Sequence, residues 1–89
     1  MLSKNLNVGQ LVEAMCGRDQ GKLFFIVKVV DEEYVLIVDG KSRKFNKPKL
    51  KKIKHLNVSN FVNEKVKNKL SNGEEITDSY IRTEINKLK

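Results

Sequence analysis

The chain has 89 residues, 33% of them charged, with 18 Lys and Arg against 11 Asp and Glu for a formal net charge of +7. That length admits one ordinary domain near the lower limit for a self-sufficient core, and the positive excess favours a polyanionic partner, because cations that neutralise phosphates release condensed counterions. A single cysteine, Cys16, and a single histidine, His55, exclude an intramolecular disulfide framework and a four-ligand Cys/His zinc site within one chain.

The first seven residues are polar apart from Leu2 and Leu6, so a loosely held start is expected. MLSKNLNVGQ lacks the apolar core of a signal peptide, and no apolar run in the chain approaches the roughly 20 residues needed to cross a bilayer. The expectation is a soluble, cytoplasmic protein with no membrane partner. Val8 to Met15 favours an extended segment. Gly17 and Gly21 bracket Arg18, Asp19 and Gln20, and a sharp loop follows from the ease with which glycine takes positive φ.

Lys22 to Val30 (KLFFIVKVV) and Tyr34 to Val38 (YVLIV) are rich in β-branched and aromatic residues and read as strands joined by the acidic turn Asp31, Glu32 and Glu33. Asp39-Gly40 predicts a type I′ hairpin turn leading into a returning strand over Ser42 to Phe45. Pro48 has no N–H for a ladder, so residues 46–49 read as a break or an edge. Lys52 to Leu56 completes the set as a last strand returning to the first. Five short strands with tight turns predict a mainly β domain, a small SH3-like barrel.

The pattern changes near Ser59. Val62, Val66 and Leu70 recur every four residues and predict an amphipathic helix over Asn60 to Leu70, stopped by Ser71-Asn72-Gly73. Thr77 or Asp78 caps a second helix with the stripe Ile81, Ile85 and Leu88. Helices this short do not hold alone. Because the strands at Leu23 to Val27 and Tyr34 to Val38 are apolar on both faces, the expected arrangement is a barrel over residues 1–57 with a helical extension over 58–89 packed on its outer surface. A homodimer through that surface is the competing explanation.

Charge is concentrated. Residues 41–55 hold Lys41, Arg43, Lys44, Lys47, Lys49, Lys51, Lys52 and Lys54 with no acid among them. A surface serving only solubility mixes both signs, so this run is a candidate phosphate-tracking face, against the plainer reading of a solvated basic loop. Arg18 and Lys22 sit in the glycine loop, where cations and amides converge on a phosphate, although the spacing is far from a P-loop. A turn shaped only by its glycines, with Arg18 paired locally with Asp19 or another acid, is the alternative there. Phe45, inside the run, is either core or a base-stacking residue. Phe24, Phe25, Tyr34, Phe61 and Tyr80 read as core or docking residues. Lys65, Lys67 and Lys69 on the first helix extend the contact or pair with nearby acids. No nucleophile and base pair, metal cluster or phosphate cradle emerges, so the chain reads as a non-enzyme without metal or cofactor.

The segment VGQLVEAMCGRDQGKLFFIVKVVDEEYVLIVDGKSRKF resembles the KOW-bearing large-subunit ribosomal proteins of archaea and eukaryotes, through Gly21, Lys22, Leu23, Ile26, Val27, Val29 and Asp31 and then Val38, Asp39 and Gly40. The continuation RKFNKPKLKKIKHL is similar to small bacterial KOW-domain RNA-binding proteins. The resemblance covers residues 8–56 and implies an SH3-like barrel that binds RNA, with ribosomal RNA as the expected partner and Arg18, Lys22 and the eight cations of residues 41–55 as the expected contacts. The pattern also occurs in transcription elongation factors of the NusG type, where such barrels bind proteins. A protein-interaction adaptor of the translation or transcription machinery is therefore the alternative function.

Overall fold

The computed structural model describes residues 6–89. In chain order they form β1 (Gln10–Ala14), β2 (Leu23–Val29), β3 (Tyr34–Val38), β4 (Lys49–Lys52), a 3-10 turn (Ile53–His55), β5 (Leu56–Val62), α1 (Glu64–Ser71) and α2 (Asp78–Asn86). All neighbouring strands pair antiparallel in one five-stranded sheet of order β4-β3-β2-β1-β5.

That order makes β4 and β5 the two edges, yet only the three residues of the 3-10 turn separate them. Four strand spacings across a flat sheet amount to about 19 Å, whereas three residues of 3-10 helix advance about 6 Å. The sheet must therefore curl. Register shifts between Gln10 and Val12 and between Ile26 and Lys28 supply the extra bend and twist that bulges bring. Curling encloses Val12, Phe24, Ile26, Val35 and Ile37, none more than 1% exposed, beneath Leu56, with Leu6, Ile53 and Val58 against them.

The outer face is apolar for a different reason. Phe25 and Val38 pack there against Val66 of α1, Ile76 of the connection, and Ile81 and Ile85 of α2. The helices thus dock on the sheet as the doubly apolar strands require. The helix caps are local chemistry: the Val66 N–H donates to the Asn63 side chain and the Tyr80 N–H to Thr77 Oγ1. At the far end α1 stops at Ser71, with Gly73 at φ +70.

Several boundaries differ from expectation. Residues 42–45 form a loop rather than a strand, because Asp39 accepts the Lys41 and Arg43 N–H groups and the Ser42 hydroxyl, and the Phe45 N–H donates to Asp78 Oδ1. With those donors committed, no ladder can form there. Only Gly40 of the Asp39-Gly40 pair has positive φ, so the turn is not type I′. Residues 53–55 form the 3-10 turn, and the strand returning to β1 runs from Leu56 to Val62, past residue 57 and over the expected start of the first helix. Phe45 is partly buried against the helices, but Phe61 is 44% exposed and lies outside the core. The expectation of a loose start lies, for residues 1–5, outside the described residues.

Gly21 holds φ +86 with no heavy atom within 4 Å of an added Cβ. The cost of Gly21→Val is therefore backbone strain alone, about 2 kcal/mol for a bulky residue in the left-handed region. The variant should unfold cooperatively at a lower urea midpoint, and an unchanged midpoint would contradict the loop conformation.

Candidate nucleic-acid interface

Antiparallel pairing of β1, β2 and β3 puts the β1–β2 and β3–β4 loops at one end of the sheet, with Leu23 opposite Glu13 and Phe25 opposite Val38. The first loop is braced by its own backbone: the Gln20 N–H donates to Gly17 O, the Lys22 N–H to Asp19 O and the Gly21 N–H to Ala14 O. The second loop is braced by Asp39, as described above.

Asp19 joins the two loops. Its Oδ2 accepts from Arg43 Nε at 3.3 Å and Nη2 at 3.1 Å, and its Oδ1 lies 3.5 Å from Lys22 Nζ. Burial by itself pushes the Asp19 carboxyl up, but the hydrogen bonds and charge of Arg43, followed by those of Lys22, outweigh it and hold the group below the ordinary carboxylate range. The acid stays ionised at neutral pH, and Arg43 and Lys22 are positioned by it. Arg18 is exposed and has no hydrogen bond or ion pair with another described residue, so its expected alternative pairing with Asp19 is not what forms.

The other cations of residues 41–55 fall in separate places. Lys51, opposite Val35 on β4, reaches the glycine loop, where its Nζ would lie 3.8 Å from a Cβ on Gly17. Lys41 and Lys44 border an open cleft of about 810 Å³ between the two loops and α2, together with Lys22 and with Arg82 and Lys89 from the C-terminal region. Lys47, between the cleft and the edge strand, and Lys49, the first residue of that strand, are exposed. Lys52 diverges, its ammonium 5.9 Å from the centre of the Tyr34 ring. Lys54 lies in the 3-10 turn rather than on a strand, at a corner where the Ile53 N–H donates to Glu33 O. The acidic β2–β3 turn therefore sits beside Lys54, and the basic run does not form one continuous face.

Arg82 and Lys89 lie outside the basic run, in a segment of mixed sign. Arg82 lies on α2 and Lys89 beyond its end at Asn86, so no helical spacing links them and no sequence signal marks the pair. Arg82 also fixes the cleft, since its Nη1 donates to Gly40 O at 2.6 Å. Lys69, by contrast, pairs with Glu74 at 3.6 Å and lies over the Tyr80 ring.

Among the described residues no group of three or more His, Cys, Asp and Glu side chains could hold a metal ion, and no helix is long and apolar enough to cross a membrane. Comparison with protein-family models and with curated proteins gives no match.

Proposed function

We propose that this chain is a non-catalytic RNA-binding protein, a KOW-type SH3-like barrel that engages structured RNA, with ribosomal RNA as its target, in the cytoplasm. The observation that carries the reading is the meeting of two loops at one end of the sheet, which gathers Lys22, Lys41, Arg43, Lys44 and Lys51 from separate stretches of sequence around Asp19 and the cleft, with Arg18 exposed on the first of the loops. The curl of the sheet supports the barrel, and the resemblance of residues 8–56 supports RNA as the polyanion. Contacts of this type position the protein on the phosphate backbone.

A second reading is favoured by Leu50 at 51% and Phe61 at 44% exposure on the two edge strands. On that reading the chain is a protein-interaction adaptor whose cations steer association, and the lysines of β4 guard an open edge against pairing. In cells, crosslinking followed by RNA sequencing separates the two. Comparing wild type with Lys49→Ser, Lys51→Ser, Lys52→Ser and Lys54→Ser combined, the RNA reading expects crosslinks at defined ribosomal RNA positions that fall in the variant. In solution the variant should bind about 30-fold more weakly at low salt, with a salt slope flatter by about 2, as for the loss of two to three phosphate contacts, and with little change in Tm. Unaltered affinity, or a protein complex that survives RNase, would favour the adaptor.

A further inference from the structure

The geometry points to the cleft between the two loops and α2 as a seat for a single-stranded segment of RNA, one to two nucleotides long, held by its phosphates between opposing cationic walls. This inference rests on the RNA-binding reading and narrows it to one site and one kind of strand.

The walls come from different elements. Lys41 and Lys44 stand on the β3–β4 loop, Lys22 on the β1–β2 loop, and Arg82 and Lys89 on the C-terminal side. Of these, Lys41, Lys44 and Lys89 have no side-chain hydrogen bond or ion pair among the described residues, so their charges are available to a ligand. The acid in the cleft, Asp39, is already hydrogen-bonded: Oδ1 accepts the Lys41 and Arg43 N–H groups and Oδ2 accepts the Ser42 hydroxyl. These neutral donors leave its charge in place, but one carboxylate faces Lys22, Lys41, Lys44, Arg82 and Lys89, so the cleft lining is net positive.

Partly buried Leu23 contributes apolar surface between the cations, with Ile85, 5% exposed, beneath it at the floor of the cleft, and a base face can lie on such a surface while its phosphates meet the walls. No aromatic ring borders the cleft, so a sequence-tolerant mode of binding follows. The volume of about 810 Å³ falls in the range that holds a small-molecule ligand. It admits a nucleotide or two and not the broad face of an A-form duplex. The walls are also held in place before any ligand arrives, through the bond from Arg82 to Gly40 O and that from the Phe45 N–H to Asp78. A preformed groove spares the ordering cost of binding.

The test is fluorescence anisotropy with a labelled single-stranded RNA of twelve mixed nucleotides and with the blunt duplex of the same sequence. It compares wild type, Lys44→Gln/Lys89→Gln with one cation removed from each wall, and Lys28→Glu, which lowers the net charge by the same amount at one exposed position that does not line the cleft. The cleft variant should bind the single strand about 20-fold more weakly with a salt slope flatter by about 1.4, two single-strand phosphate contacts. The control variant and all duplex measurements should move less than 3-fold. In wild type the methyl NMR signals of Leu23 and Ile85 should shift on titration with the single strand. Equal losses in the two variants, equal losses on the duplex, or unmoved Leu23 and Ile85 methyls would overturn the cleft assignment while leaving RNA binding intact. Failure of wild type to bind either RNA at low salt would overturn the RNA-binding reading itself, and the cleft assignment with it.

Discussion

Gly40→Ala is expected to lower stability by about 4 kcal/mol and Tm by about 20 °C, the largest effect of any single methyl group considered. Gly40 has φ +75, and a Cβ there would overlap the Asp78 carbonyl oxygen and lie 3.1 Å from Ile81 Cβ and 3.2 Å from Arg82 Cγ. The left-handed conformation alone costs an alanine about 1–2 kcal/mol. Relief of the overlap requires the loop to move off α2, which breaks the Arg82 bond to Gly40 O and the Phe45 bond to Asp78, each worth about 1 kcal/mol. Gly21 has a similar φ with open space around it, so substitution there lacks the second contribution. Urea unfolding of the two variants side by side separates backbone strain from lost docking. A Gly40→Ala protein within 1 kcal/mol of wild type would show that the loop is not seated on the helix.

Asn63→Ala is expected to cost about 3 kcal/mol at neutral pH, less in acid. The side chain, 6% exposed, does two jobs. Its Oδ1 accepts the Val66 N–H and caps α1, worth about 1 kcal/mol. Its Nδ2 donates to Glu84 Oε1 at 2.9 Å, and Glu84 is buried with Lys87 at 3.0 Å as its other partner. Leaving that carboxylate short of a donor adds about 1–3 kcal/mol. The Asn63 hydrogen bond, followed by that of Lys87, holds the Glu84 carboxyl below its ordinary range against the opposing effect of burial. A depressed native value contributes stability above the unfolded value, about 4.3 for glutamate, and loses it as pH falls through the native one. The variant lacks the main cause of the depression and has less to lose. The gap between wild type and Asn63→Ala should therefore narrow from pH 7 to pH 3.5, which urea midpoints at both values will show. A gap constant with pH would mean that Glu84 is not the partner that matters.

The first three strands, the stop after Ser71 and the cap at Thr77 are legible in the sequence because their causes are local: β-branched runs, a glycine, a hydroxyl beside a helical stripe. Strands β4 and β5 are not. Lys49–Lys52 has a single apolar residue, Leu50, and becomes a strand because Tyr34 to Ile37 offers it an edge. Val62 has helical spacing to Val66 but pairs with Gln10, a partner 52 residues away that no local pattern names. The candidate site divides in the same way. The eight cations of residues 41–55 announce themselves by composition, whereas their partition between the cleft, the glycine loop and the corner beside Glu33 depends on tertiary contacts, above all those of Asp19.

The pairing of β5 with β1, rather than with its chain neighbour β4, governs when the protein can form during synthesis. The β2–β3 hairpin can close as soon as it emerges, but the free edge of β1 waits for residues 56–62, and at roughly 5–20 residues per second that wait lasts seconds. Throughout it Phe24 and Ile37 lack the cover of Leu56 and Val58 and one strand edge stands open beside any other nascent chain, while Phe25 on the outer face waits longer still, for α1 and α2. Assembly of the sheet therefore waits on the synthesis of β5, docking of α1 and α2 follows it, and the interval before both is when the apolar faces are most exposed to aggregation.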